Sequence, residues 1–227
     1  MLARFPAQML SLMDHTPGQR QFRDIETLKG YYRRASSMSE EALDAFLTKR
    51  IAFNTQYAEP HRRALVGIAR QNNIKLASHD DTTIAQVEEA LADGVAIAEF
   101  PVTVEAAASS HAAGIKVLMG APNIVRGGSH SGNIAAIELA RAGTLDILSS
   151  DYVPASLLLA AYRLPGLVPA IDLPAAMRMV TAAPAKAAGL DDRGVIAAGK
   201  LADLVRIKEH GDLPVVRAVW RGGERVM

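Results

Sequence analysis

Three residues combine a metal-ligating side chain with a place just beyond an apolar run. They are His15 in Leu12-Met-Asp-His-Thr-Pro17, His79 in Ala77-Ser-His-Asp-Asp81 and Asp151 in Leu148-Ser-Ser-Asp151. Imidazole and carboxylate suit zinc, iron or manganese, and catalytic centres use few protein ligands so that a position stays open for water. The chain has no cysteine, so thiolate sites are excluded and any metal must be held by His, Asp or Glu. Glu99 follows another apolar run and is a fourth candidate, with a solvated turn as the plain alternative. Singly, each of these residues reads as readily as a turn, cap or core group. Together, at one end of parallel strands, they read as a site, because ligands gather at the carboxyl ends of strands in parallel α/β folds. His61, His111 and His210 fall within helices or the tail and read as structural.

A second stretch, Arg126-Gly-Gly-Ser-His-Ser-Gly-Asn133, suits an anion. Gly127 and Gly128 let backbone N–H groups approach a phosphate, and the start of a following helix would add its positive end. Arg126, Ser129, His130, Ser131 and Asn133 add side-chain donors. The alternative is a glycine-rich turn capped by Ser131. No Gly-Lys-Ser/Thr follows, so this is not a Walker loop. Arg20 and Arg23 could add charge to the same rim, with solvated surface as the simpler reading.

The elements that must position these groups follow from apolar patterning. Strands are expected at 8–13, 74–78, 95–98, 115–119 and 145–149, each ending in a polar turn. Helices are expected within 24–58, from Pro60 to about residue 72, and at 83–93, 104–113, 131–142, 155–164 and 173–183. Strands alternating with ten-residue helices predict βαβ units on a parallel sheet. Five such units suggest barrel architecture, and a (β/α)₈ barrel needs eight. The expected fold is therefore α/β: an incomplete barrel over 1–188 and a β module over 189–227, too small to be stable alone. Within that module the pattern reads turn, short strand, turn, long strand from 192 to 207, then a closing hairpin.

Composition limits the rest. The 227 residues are 49% hydrophobic and 22% charged with a net charge of +1, which gives no electrostatic case for nucleic acid or an anionic membrane. Aromatic residues, at 5%, are too sparse for a base-stacking surface. No apolar run reaches membrane-spanning length and the start lacks a signal-peptide pattern. A cytoplasmic protein is the default expectation.

The tail Gly194-Val-Ile-Ala-Ala-Gly-Lys-Leu-Ala-Asp-Leu-Val205, with Thr181-Ala-Ala-Pro-Ala185 before it, resembles the ending of metal-dependent hydrolases of the amidohydrolase superfamily. There the segment returns to a small β-sandwich beside the barrel. Leu12–Gln21, Ala77–Asp81, Glu99-Phe-Pro101, Met119–Asn133 and Leu148–Pro154 resemble one branch. It is the family of diphosphatases that act on α-D-ribose 1-methylphosphonate 5-triphosphate in carbon–phosphorus lyase pathways. The resemblance runs over essentially the whole chain. It implies hydrolysis of a ribosyl triphosphate to the 5-phosphate with release of pyrophosphate. It also implies a divalent metal, with zinc the first choice and iron or manganese as alternatives. Asp151 matches the last-strand aspartate that orients or deprotonates the attacking water and can also touch the metal. His15 and His79 match strand-end ligand positions, and the 127–133 loop becomes a polyphosphate clamp.

One departure is plain: the superfamily carries His-x-His after its first strand, and no His-x-His occurs in this sequence. The expectation is a chain beginning mid-barrel, with self-association or a complementing amino-terminal fragment as partner. Two other readings stay open: a C–N hydrolase of the same superfamily, and a non-catalytic fragment that completes another chain's barrel. A phosphate-binding module without chemistry is a third.

Overall fold

The computed structural model describes residues 7–129, 132–211 and 213–227. Five strands, β1 (Met9–Leu12), β2 (Lys75–His79), β3 (Val95–Glu99), β4 (Lys116–Gly120) and β5 (Ile147–Ser149), form one parallel sheet in sequential order. Helices separate them: α1 (Ile25–Ala35) and α2 (Glu40–Gln71), α3 (Ile84–Asp93), α4 (Val104–Ala112), then α5 (Ala121–Arg126) and α6 (Ala136–Arg141). Beyond β5 come α7 (Ser156–Leu167), α8 (Leu173–Arg178) and α9 (Ala182–Ala187). A three-stranded antiparallel sheet of β6 (Leu204–His210), β7 (Leu213–Arg221) and β8 (Glu224–Arg225) closes the chain. Among the described residues, no helix is long and apolar enough to cross a membrane.

Strand side chains alternate between faces, so each strand divides its residues between two cores. Leu12, Leu76, Val95 and Ala98 pack with Val66, Ala69, Val87 and Ala106 of α2, α3 and α4. Val117, Met119 and Leu148 pack with Leu139 and Leu164 of α6 and α7. The opposite face carries Ala77, Ile97 and Ile147, met by Ala183 and Ala187 of α9. His79 lies two residues past Ala77 and Glu99 two past Ile97, so both emerge on that second face. Register pairs His79 directly with Glu99.

Three helical boundaries differ from expectation. Pro60 does not open a helix: it lies within the 32-residue α2, capped at Ser39, whose side chain accepts from Ala42 N–H. Buried Leu43, Leu47, Val66 and Ala69 lie on both sides of Pro60 and hold the helix through it. The helix expected from residue 131 begins only at Ala136, whose N–H is taken by Asn123 Oδ1 at 2.9 Å. The segment expected as one helix over 173–183 is split. Leu148 of β5 donates its N–H to the Met179 carbonyl (3.0 Å), pulling the chain between α8 and α9 along the sheet edge. No short strand forms near 195–198, where Ile196 is 90% exposed and Leu201 N–H bonds the Asp192 carbonyl to close a loop.

Candidate metal centre

Two loops deliver the site. The first leaves β1 and turns through Asp14, whose carboxylate accepts from Thr16 N–H and Oγ1, Gln19 Nε2 and Asn54 Nδ2 of α2. Burial raises the Asp14 pKa, but these hydrogen bonds outweigh it and hold the group as a carboxylate below its usual range. The loop is thereby pinned, and His15 projects beside β2. The second loop leaves β2 at His79 and runs straight into α3. Thr83 caps that helix in a capping box with Gln86, whose side chain also accepts from Thr82 N–H at 2.7 Å.

His15 Nε2 and His79 Nε2 each lie 3.3 Å from Asp80 Oδ2. The three ligand atoms all fall within 4.8 Å of one another. Tetrahedral zinc, at about 2.0–2.2 Å from N and O ligands, separates those ligands by roughly 3.3–3.5 Å. Two of the three separations match. Asp80 Oδ2 is buried and has no hydrogen-bond partner, an expensive state for a carboxylate oxygen unless a cation answers it. The donor set, two imidazoles and a carboxylate, suits zinc, iron or manganese. The residues fit a divalent metal.

Glu99, the fourth candidate in the sequence, stands behind His79. Its Oε2 lies 2.7 Å from His79 Nδ1 and accepts from Ser11 Oγ at 2.8 Å. A carboxylate on Nδ1 fixes the tautomer that leaves Nε2 to face a metal. Burial lowers the His79 pKa, but the Glu99 hydrogen bond and the charges of Asp80 and Glu99 more than reverse it, and the net shift is upward. Burial raises that of Glu99, and its bonds to His79 and Ser11 carry it below the usual range. The carboxylates of Asp80 and Glu99 around His79 favour positive charge at the ring.

Asp151 and Glu99 are not members of the three-residue cluster. Asp151 shares a cavity of about 280 Å³ with His79 and Asp80, and Gly120, Arg126, Ser129 and Asn133 line the same space. Its carboxylate packs against Gly120, where an added Cβ would stand 2.7 Å from Oδ2. Three of the residues lining this cavity, Asp80, Phe100 and Asp151, hold positive φ between 50° and 56°. Such backbone costs about 1–3 kcal/mol each for a side-chain-bearing residue and gathers at functional sites.

The anion loop is rearranged from expectation. Gly127 ends α5 in left-handed conformation, with its N–H on the Asn123 carbonyl, so the loop follows a helix's carboxyl end. The positive helix start invoked for it stands further on, at Ala136. Gly128 sits in this turn, its carbonyl accepting from Arg126 at 3.3 Å. His130 and Ser131 lie outside the described residues. Arg20 is no solvated rim cation: it is 5% exposed and its Nη1 bonds Asp81 Oδ1 at 2.6 Å and the His79 carbonyl at 2.9 Å. Asp80 is the member of this cluster that sequence reasoning missed. In the His79-Asp80-Asp81 run, strand alternation sends Asp80 to the face opposite His79, and only its left-handed φ of 55° brings the carboxylate back.

Residues 59–227 match the model of the amidohydrolase family. The chain belongs to the amidohydrolase family. Its amidohydrolase-type α/β fold consists of the five-stranded parallel sheet and the small antiparallel sheet. Alpha-D-ribose 1-methylphosphonate 5-triphosphate diphosphatase of Escherichia coli strain K12 is 48% identical over 227 residues, all of this chain. This amidohydrolase chain spans 60% of that relative's length. Among solved structures, an amidohydrolase from Thermotoga maritima MSB8 superposes with a TM-score of 0.59 at 16% identity, covering 96% of this chain and 62% of that one. A prolidase solved with N-methylphosphonate-L-proline gives 0.53 at 22% identity, covering 72% and 48%. At such identities the likeness is one of amidohydrolase fold alone.

Proposed function

We propose that this chain carries the metal centre and phosphate-facing wall of a metal-dependent hydrolase. Its substrate is α-D-ribose 1-methylphosphonate 5-triphosphate, converted to the 5-phosphate and pyrophosphate in the cytoplasm. The observation that carries the reading is the convergence of His15 and His79 on the unpartnered Asp80 oxygen, beside a cavity that also holds Asp151 and Arg126. The name of the 48% identical relative supports the substrate.

His15, His79 and Asp80 would hold the cation, with Glu99 keeping the His79 ring in place. The chemistry a divalent cation supplies there is neutralisation of charge at phosphorus and a lower pKa for water. Asp151 accepts the proton of the attacking water as its oxygen bonds to phosphorus. Arg126, Ser129 and Asn133 bind phosphate oxygens, and the bridging P–O bond breaks with pyrophosphate leaving. The five βα units belong, on this reading, to the carboxyl-terminal part of a (β/α)₈ barrel. β1 is an end strand of the sheet, which leaves one edge for an amino-terminal segment to complete.

Arg126→Ala and Asp151→Asn test this, with pyrophosphate release measured with zinc on the chain joined to an amino-terminal barrel segment. Asp151→Asn should lower kcat by at least 100-fold, and Arg126→Ala should raise KM about tenfold or more. A C–N hydrolase would ignore Arg126, so hydrolysis of a cyclic amide by both wild type and Arg126→Ala, without pyrophosphate release, would overturn the substrate. A barrel-completing partner without chemistry, or a phosphate-binding module, would release no pyrophosphate in any form.

A further inference from the structure

We propose that Arg20 is a positioning residue of the metal centre, joining the two loops that supply its ligands. The inference rests on the metal reading above and extends it to a residue that touches neither cation nor substrate. His15 comes from the loop after β1, and His79 and Asp80 from the turn after β2. Arg20 lies in the first loop, five residues after His15, and reaches into the second. Its Nη1 donates to the His79 carbonyl at 2.9 Å and to Asp81 Oδ1 at 2.6 Å, so its contacts bracket Asp80 on both sides. The single Thr82 hydroxyl proton is shared between the Asp80 carbonyl at 3.1 Å and the Arg20 carbonyl at 3.4 Å, a further link between the loops. Arg20 Nη2 also faces Glu89 Oε2 at 3.7 Å, and Glu89 is shared with Arg62 at 3.3 Å.

The pair is poorly built for stability alone. Arg20 and Asp81 are 5% and 1% exposed, yet Arg20 Nε and Asp81 Oδ2 have no hydrogen-bond partner. A buried ion pair with unmet atoms often contributes less than an apolar pair of similar volume. What the guanidinium supplies is direction: one planar group holds a carbonyl and a carboxylate on either side of a ligand whose own backbone is left-handed. With the bridge intact, His15 Nε2 and His79 Nε2 stay at equal distance from Asp80 Oδ2. Without the guanidinium the loops keep the long Thr82 bond to the Arg20 carbonyl and lose the grip on either side of Asp80.

The test is zinc affinity of the full 227-residue chain, by competition with a chromophoric chelator, alongside circular dichroism of the metal-free proteins. Loss of an orienting partner behind a metal ligand typically weakens affinity 10- to 100-fold. Arg20→Leu should show a loss in that range with the fold retained. Arg20→Lys, which keeps charge but ends one bond short of the Nη1 position that meets both acceptors, should lose about tenfold. In a His15→Ala background the Arg20→Leu effect should shrink to threefold or less, because no second loop remains to be registered. A merely structural role would lower thermal stability and leave affinity unmoved. Affinities of folded variants within threefold of wild type, or an undiminished loss in the His15→Ala background, would overturn the proposal. Should Arg20→Leu fail to fold, Arg20→Lys and Asp81→Asn are judged by the same limits. A wild-type chain that binds no zinc overturns the metal reading and this inference with it; unchanged variants on a zinc-binding wild type overturn this inference alone.

Discussion

Gly120→Ala separates the Asp151 carboxylate, proposed to take the proton of the attacking water, from the proposed metal ligands. Gly120 ends β4 with φ −73° and ψ 130°, a conformation alanine adopts freely, so the backbone gives no reason for glycine here. The reason is Asp151: a Cβ would stand 2.7 Å from Oδ2, 3.2 Å from its Cβ and 3.3 Å from Cγ. The closest contact is about 0.7 Å short of ordinary van der Waals distance, and Asp151 must yield by that much from a loop already at φ 50°. Overpacking of this size costs about 1–3 kcal/mol of stability, and a misplacement near 1 Å can cost about 100-fold in rate. We expect kcat for pyrophosphate release to fall 30- to 100-fold while zinc affinity stays within threefold of wild type. Adding Gly120→Ala to Asp151→Asn should then cost little more, since the group it displaces is already disabled. Full activity in Gly120→Ala, or losses that multiply independently in the double variant, would refute the placement of Asp151 against Gly120 as functional.

Three further outcomes follow from the same geometry. Glu99→Gln removes the negative charge behind His79 Nδ1 and should weaken zinc binding about tenfold, read by the chelator competition; an unchanged affinity would return Glu99 to a structural role. Pro60→Ala, in the interior of α2, restores a helical hydrogen-bond donor and removes a ring clash, and should raise stability by about 1–3 kcal/mol in denaturant unfolding. Leu139→Ala empties a fully buried position between the sheet and α7 and should cost about 2–5 kcal/mol with no change in zinc affinity.

Much of this fold is written in local pattern. Each strand is a short apolar run stopped by a polar turn, and Thr83 with Gly94 brackets α3 by cap chemistry that depends on neighbours alone. Where tertiary contacts overrule local signals, the sequence misleads. Pro60 looks like a helix start because its cost is local, whereas the buried leucines and valine that carry α2 through it act at a distance. The α6 start depends on Asn123, thirteen residues earlier in the chain, offering its side chain to Ala136. At the site, His15 and His79 stand out because a histidine after a strand is conspicuous, but Asp80 hides beside one. Its contribution depends on a left-handed backbone angle that no side-chain spacing reveals. Arg20 is the converse case: an arginine in a polar loop suggests solvent, and only Asp81 and the His79 carbonyl explain why it is buried.

The central claim is that His15, His79 and Asp80 form a divalent-metal centre, and equilibrium zinc binding to the purified chain tests it most directly. The account predicts one zinc per chain, with at least 100-fold weaker binding after His79→Ala or Asp80→Ala in variants that remain folded. Zinc binding that is absent, or that survives both substitutions unchanged, would contradict it.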